Sequence, residues 1–122
     1  MDIALWIMQA VLAVTFLVSG TAKSTLSRER LVALGQTGVA VFPHPVVRVT
    51  AAAELLGVLG IILPWATGVA PALTPLAAVG FAGVMVGAIV AHVRLREPRN
   101  VVLTSLLFVL AVTVAVGRFA QL

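Results

Sequence analysis

The chain has 122 residues, of which 61% are hydrophobic and 10% are charged, and its mean hydropathy is +1.18. A water-soluble domain carries about 25% charged residues, so this chain lacks the polar surface that a globular protein needs in water. The net charge of +4 comes from basic residues that flank apolar runs, without the interleaved aromatics of a nucleic-acid interface. The composition predicts an integral membrane protein whose partner is the lipid bilayer, with no nucleic acid.

Cysteine is absent from the sequence, which excludes thiol–disulfide exchange and thiolate ligation by this chain. Two histidines and no cysteine argue against a metal site. No basic segment precedes the first apolar run, so we expect that run to stay in the membrane rather than to be cleaved as a signal peptide.

The first predicted span covers about residues 3–20. Ser19 and Lys23 lie four residues apart on one helix face, where both side chains can reach a neighbouring helix. Lys23 has a simpler alternative reading as an anchor whose ammonium reaches the membrane interface. After this span, Ser27 can cap a short amphipathic helix that begins at Arg28 and lies on the membrane surface.

The second predicted span covers about residues 46–63 and contains one carboxylate, Glu54. An ionised carboxylate in hydrocarbon costs several kcal/mol unless it is protonated, paired or hydrated, so Glu54 is a candidate functional residue. It shares a helix face with Thr50 and Gly57, which indicates a face turned toward another helix. The structural alternative is that Glu54 pairs with Arg48, Lys23 or a span hydroxyl and only holds the bundle together.

The third and fourth predicted spans cover about residues 75–93 and 101–116. Gly83, Gly87 and Ala91 recur every four residues and predict close helix packing, within one protomer or between protomers of a homo-oligomer. The four spans predict an all-α membrane protein: one four-transmembrane-helix bundle over residues 1–122, with a short amphipathic helix between spans one and two.

The basic residues predict how the bundle is oriented. The connection between spans two and three has none, whereas the other two connections hold Lys23, Arg28, Arg30, Arg94, Arg96 and Arg99. The positive-inside rule places those two loops in the cytoplasm and both termini outside a bacterial-type inner or plasma membrane. Arg118 is the exception to this pattern.

Three polar residues are predicted to lie toward the cytoplasmic half: Lys23, Glu54 and His92. A carboxylate and an imidazole can act as general base and acid, or can hydrogen-bond the carbonyls of a quinone. Glu54 lies about 12 Å inside its span and His92 near a boundary, so direct contact requires tilt or a water-filled vestibule. The predicted catalytic residues are Glu54, His92 and Lys23, and the predicted cofactor-binding residues are Ser19, Thr50 and Glu54.

Four short motifs, in this order, resemble those of the DoxX-like membrane proteins. Residues 16–23 (FLVSGTAK) resemble the end of that family's first span, residues 54–57 (ELLG) its second span, and residues 92–98 (HVRLREP) the end of its third span. Arg118 resembles the family's closing arginine. The resemblance covers nearly the whole chain and implies a four-helix membrane bundle.

The resemblance also implies a limited set of activities. Some relatives are linked to quinone-reducing thiosulfate oxidation, and others to a membrane complex that handles oxidative and thiol stress. Because this chain has no cysteine and no haem, flavin or iron–sulfur motif, a redox role would need a quinone, a partner protein subunit or both.

Three functions follow as hypotheses. The first is an intramembrane pocket for an apolar or amphipathic small molecule, in the membrane subunit of a quinone-linked oxidoreductase system. The second is a non-catalytic scaffold or binding module. The third is a non-redox membrane enzyme, an isomerase or hydrolase, that uses Glu/His acid–base chemistry.

Overall fold

The computed structural model describes residues 2–122, and within them the chain forms five α-helices and one 3-10 turn. These elements are α1 Asp2–Thr25, α2 Arg28–Ala33, the 3-10 turn Thr37–Ala40, α3 His44–Thr67, α4 Leu73–Arg94 and α5 Pro98–Ala120. Among the described residues, four helices are long and apolar enough to cross a membrane: α1, α3, α4 and α5. The predicted all-α bundle with a short helix between its first two spans is confirmed.

The long helices pack in the cyclic order α1, α3, α4, α5, because α1 and α4 each contact both α3 and α5. Successive spans run antiparallel, so the end of α1 and the start of α3 lie at the same end as the turn between α4 and α5. We call this end, which holds Lys23, α2 and the 3-10 turn, the basic end. The opposite end holds Asp2, Trp65 and Arg118.

The short helix α2 begins where the sequence predicts. The Ser27 hydroxyl accepts a hydrogen bond from the Arg30 amide at 3.3 Å, so Ser27 is its N-cap. Three buried residues, Leu31, Val39 and Val47, form an apolar cluster that packs α2 and the 3-10 turn against the start of α3. The connection between spans one and two is therefore folded onto the basic end of the bundle.

The apolar core of the bundle is centred on an aromatic pair. The Phe16 and Phe81 rings stack with their centroids 4.0 Å apart, and Ile61 and Val114 are buried beside them. A Cβ on Gly57 would lie only 2.6 Å from the Phe81 ring, so the absence of a side chain there lets α3 approach α4. This contact fixes the distance between α3 and α4 near the middle of the bundle.

The glycines of α4 do not pack as predicted. Ala91 is fully buried, but a Cβ on Gly83 would meet nothing within 4 Å, and one on Gly87 would reach only the Phe42 ring, at 4.0 Å. The prediction of close packing within the protomer is wrong for both glycines, because no helix of the same chain fills the space in front of them, and packing between protomers stays a prediction. Their missing side chains instead leave an open volume.

The helix that contains the second predicted span also extends past Pro64. The helix α3 passes through Pro64 and continues to Thr67, whereas the sequence predicts its end at Leu63. A proline inside a helix cannot donate a bond to the carbonyl four residues earlier, here that of Gly60, and such a break costs about 3 kcal/mol when nothing replaces the bond. The helix continues because other side chains replace the missing bonds.

Two polar side chains from neighbouring helices complete the hydrogen bonding around the proline. The Thr74 hydroxyl of α4 donates to the Gly60 carbonyl at 2.9 Å and accepts from the Trp65 amide at 3.2 Å. The Gln9 amide of α1 donates to the Ile61 carbonyl at 2.7 Å. Backbone groups inside a bilayer have no water to bind, so these bonds allow α3 to cross the membrane without interruption.

We expect Thr74→Val to destabilise the protein by about 1–3 kcal/mol, because it leaves buried backbone groups of α3 without a partner. The loss should be smaller in a Pro64→Ala background, where the restored amide can donate to the Gly60 carbonyl. The free energy of unfolding in detergent micelles measures both effects. The matched control is Thr113→Val, since the Thr113 hydroxyl bonds only the Val109 carbonyl of its own helix, at 2.7 Å. Equal losses at Thr74 and Thr113 would contradict this account.

Candidate functional site

Glu54 is buried between α1 and α3, with 1% of its surface exposed. Its carboxylate lies 3.2 Å (Oε2) and 3.3 Å (Oε1) from the Lys23 ammonium nitrogen, and Oε1 also accepts a hydrogen bond from the Ser19 hydroxyl at 2.8 Å. The structure thus brings together three of the predicted site residues. The pair neutralises the carboxylate inside the apolar span, as an intramembrane charge requires.

The local sequence of α1 and α3 makes this contact possible. Ser19 and Lys23 are one helical turn apart, so both face the same point on α3. Gly20 lies between them, and a Cβ there would come within 3.2 Å of the Ala51 carbonyl oxygen. The two helices can therefore approach closely beside Glu54.

Arg48 has a different partner from the one considered from the sequence. Its guanidinium donates to the Lys23 carbonyl at 2.6 Å and to the Leu26 carbonyl at 3.3 Å. These carbonyls belong to the end of α1, where a cation stabilises both the unpaired acceptors and the helix dipole. Arg48 therefore holds the backbone of Lys23, while Glu54 holds its side chain.

A cavity of about 500 Å³ lies at the basic end beside this pair. Its longest wall is α4, which contributes Gly80, Gly83, Val84, Gly87, Ala88 and His92. The facing wall comes from Val46, Val47 and Thr50 of α3, and the connection before α3 covers the basic end with residues such as Gln36, Val39 and Phe42. The lining is mostly apolar, and its polar side chains are Lys23, Gln36, Thr50 and His92.

His92 is 8% exposed, and its imidazole is hydrogen-bonded to Glu97, a carboxylate that is not among the predicted site residues. Its Nδ1 lies 2.8 Å from Oε1 of Glu97, and the same oxygen accepts hydrogen bonds from the Thr37 hydroxyl at 2.7 Å and the Asn100 amide at 3.4 Å. A carboxylate only accepts hydrogen bonds, so Nδ1 carries a proton. Glu97 therefore sets both the ring orientation and the tautomer of His92.

The second ring nitrogen of His92 is left for another partner. Within residues 2–122, no side chain or backbone group hydrogen-bonds Nε2, and a Cβ built on Gly38 at the cavity wall would lie 3.8 Å from it. Nε2 can accept a hydrogen bond when the imidazole is neutral and can donate one when it is protonated. The cavity is thus lined by an oriented imidazole whose Nε2 is available for a hydrogen bond to a ligand.

The turn after α4 explains how Glu97 reaches His92. The Glu97 amide donates to the His92 carbonyl at 3.0 Å, and Arg96 has a left-handed φ of +57°. This 6→1 bond is the helix-ending pattern that usually places glycine in the left-handed position. The signal in the sequence was the carboxylate five residues after His92, which becomes significant only if the helix ends between the two residues.

The predicted site residues therefore form two sets joined by one residue. Ser19, Lys23 and Glu54 hydrogen-bond one another between α1 and α3. Lys23, Thr50 and His92 line the cavity, and Glu54 does not. Lys23 belongs to both sets, so Glu54 can act on the cavity only through the position of the Lys23 ammonium.

A second polar cluster lies at the opposite end of the bundle. Arg118 is fully buried, forms an ion pair with Asp2 and donates to the Gln9 side chain at 2.8 Å. Its guanidinium lies 5.3 Å from the centre of the Trp6 ring and 4.6 Å from that of Trp65. This cluster joins α1, α3 and α5, and it explains why Arg118 departs from the charge pattern of the loops.

We expect Lys23→Met to cost about 3 kcal/mol or more, because it leaves the Glu54 carboxylate buried and unpaired. The double variant Lys23→Met/Glu54→Gln should be more stable than Lys23→Met alone, since the remaining amide carries no charge and can still accept from Ser19. The free energies of unfolding of both single variants and the double variant measure this coupling. Costs that simply add would show that the pair contributes nothing.

The hydrogen bonds from His92 and then from Thr37 hold the pKa of Glu97 below its ordinary value of 4.5. The folded state therefore favours the carboxylate form of Glu97. Its contribution to the stability of the folded protein is present at higher pH and is lost as the pH falls below about 4.5. We expect Glu97→Gln to flatten this acid loss in a plot of Tm against pH. Glu29→Gln, an exposed position on α2, should leave the acid loss unchanged, and an unchanged curve for Glu97→Gln would contradict the assignment.

The comparisons with known proteins agree with the geometry at the level of the family. No curated protein and no solved structure matches the chain significantly. The model of the DoxX-like family matches residues 7–114, which include both the Glu54 pair and His92 with Glu97. With four membrane-spanning helices and a family match over most of its length, the chain belongs to the DoxX-like family of integral membrane proteins.

Proposed function

We propose that this DoxX-like protein binds a lipid-soluble small molecule in the cavity at its basic end, as the membrane subunit of a quinone-linked oxidoreductase system. The observation that carries the proposal is the free Nε2 of His92 at the wall of an otherwise apolar cavity. Within residues 2–122, Nε2 has no hydrogen-bond partner, so a ligand with one polar group beside it can form a hydrogen bond with this nitrogen.

The size and lining of the cavity suit a small ligand. Sites for small molecules typically measure about 300–1,000 Å³, and are apolar with a few polar groups that fix the ligand's orientation. Here the volume is about 500 Å³, and the polar groups are Lys23, Gln36, Thr50 and His92. An apolar molecule with a polar head would bind with its head between Lys23 and His92.

The Lys23 ammonium supplies a second contact for such a head. It has three N–H donors, of which the Glu54 carboxylate takes at most two in the observed geometry. Its side chain is 15% exposed and lines the cavity, so the third donor can reach a ligand oxygen. Glu54 is a positioning residue in this proposal, because it holds Lys23 without touching the cavity.

The His92–Glu97 pair supports proton transfer to the ligand. Reduction of a quinone to a quinol takes up two electrons and two protons, and the protonated Nε2 of His92 can give one proton to a carbonyl oxygen. The second proton would come from water at the basic end. The proposal requires a two-electron donor for this reduction, and it assigns that donor to a redox cofactor on a partner subunit.

The same imidazole favours a second candidate function, a non-redox enzyme of the isomerase or hydrolase type. A carboxylate that orients Nδ1 leaves Nε2 as a general base, which is the arrangement that many hydrolytic sites use. In this alternative the ligand would be chemically changed without net electron transfer. Quinone extracted together with the purified protein would favour the redox function over this one.

We expect His92→Phe to weaken the binding of decylubiquinone to the protein in lipid nanodiscs by about tenfold, the equivalent of one hydrogen bond. Native mass spectrometry with a titration of the ligand measures the affinity. His44→Phe is the matched control, because His44 is exposed at the start of α3 and does not line the cavity. Equal affinities of the wild type and His92→Phe, or no binding to the wild type, would contradict the proposal.

A further inference from the structure

We infer that the cavity opens sideways into the bilayer between α3 and α4, and that its ligand has a neutral carbonyl head and a hydrocarbon tail that passes through this opening. The inference rests on the proposed function and specifies the ligand class and its route. Two observations carry it: the open space beside two glycines of α4, and the paired charges at the basic end of the cavity.

The opening is formed by Gly80 and Gly83, which both line the cavity and are exposed on the outside of the bundle. A Cβ added to either glycine would meet no atom within 4 Å. On the α3 side, Val46 lines the cavity and is 44% exposed. We call the gap beside Gly80 and Gly83 the glycine window.

The position of the helix contacts explains why the window is there. Toward the opposite end, α3 and α4 are in tight contact, since a Cβ on Gly57 would lie 2.6 Å from Phe81 and one on Gly60 3.1 Å from Ala77. Toward the basic end, the residues of α4 that face α3 include Gly83 and Gly87, which have no tight neighbours, so a space remains between the two helices. The window therefore begins where the close packing ends.

The depth of the window determines what enters it. Gly83 lies roughly 16 Å along α4 from Arg94 at the basic end, at 1.5 Å per residue. A bilayer's hydrocarbon core is about 30 Å thick, so the window faces the middle of the acyl chains rather than water. A molecule that enters here must be soluble in lipid.

The length of the cavity indicates a ligand with a tail. Gly80 and His92 both line it and lie roughly 18 Å apart along α4. A ligand whose head contacts His92 at the basic end would place its apolar part along the α4 glycines. A chain longer than that distance would leave through the window among the lipid tails.

The charges around the cavity favour a neutral head. The Lys23 ammonium is paired with Glu54, and His92 Nδ1 is hydrogen-bonded to Glu97, so both basic side chains already have a carboxylate partner. Arg48 donates to the carbonyls at the end of α1 and to His44 and does not line the cavity. A carboxylate head would add a buried charge without a free cation, which is costly, whereas a carbonyl only needs a donor.

The test is Gly83→Leu, which places a side chain in the window and leaves Lys23 and His92 untouched. Decylubiquinone should bind about tenfold more weakly than to the wild type, while the same quinone head without a tail should bind within about threefold of the wild type. Gly80→Leu should act in the same way. Ala10→Leu is the matched control, because Ala10 is an exposed small residue on α1 that does not line the cavity.

Leucine has a higher helix propensity than glycine, so these variants are expected to fold. If Gly83→Leu weakens the binding of both quinones equally, or leaves both affinities unchanged, the glycine window is not the route of the tail. No binding of either quinone to the wild type would instead overturn the proposed function.

Two further outcomes would overturn parts of the inference. Tighter binding of dodecanoate than of its methyl ester would contradict the claim that the ligand has a neutral head. A change from dimer to monomer in Gly83→Leu would show that the window is covered by a second copy of the chain rather than by lipid.

Discussion

The buried ion pair between Lys23 and Glu54 is the interaction on which the arrangement of this bundle depends. A carboxylate in the hydrocarbon region needs a partner from the protein, because the lipid offers none. Lys23 supplies that partner from α1, and Ser19 adds a hydrogen bond to the same oxygen. The pair fixes the register of α1 against α3, and it also holds the ammonium at the wall of the cavity.

The two ends of the bundle are joined by polar groups, and the apolar core lies between them. Helices in lipid gain little from burying apolar surface, so close packing and interhelical hydrogen bonds must hold them together. The Phe16–Phe81 stack with Gly57 supplies the packing, and Arg118 with Gln9 supplies hydrogen bonds at the opposite end. Because these contacts fix the helices at the middle and at one end, the basic end can contain open space without loss of the fold.

Much of the fold could be predicted from the sequence, because each prediction depended on local chemistry. Four apolar runs indicate four spans, and Ser27 marks the start of α2. The prediction failed where distant residues decide the outcome: the helix α3 continues past Pro64 only because Thr74 and Gln9 replace its missing hydrogen bonds. A span boundary that depends on two other helices has no signature in its own segment.

The candidate site was predictable in part, for the same reason. Glu54 and Lys23 stand out as charges in or beside apolar runs, and the structure places them in contact. Glu97 does not stand out among the basic residues around it, and only the left-handed turn at Arg96 brings it back to His92. The small-residue spacing of α4 was the most misleading pattern, because glycines that permit close packing look the same in a sequence as glycines that leave a space.

The most direct measurement is the ¹⁵N NMR spectrum of the His92 imidazole in lipid nanodiscs, recorded in a His44→Phe background so that one histidine remains. The account predicts that Nδ1 carries a proton both with and without decylubiquinone, because Glu97 accepts its hydrogen bond. It also predicts that the Nε2 resonance shifts when decylubiquinone is added. The same concentration of decane should leave that resonance in place. An Nε2 resonance that does not respond to the quinone, or a proton on Nε2 with none on Nδ1, would contradict the claim that Glu97 presents His92 to a ligand in the cavity.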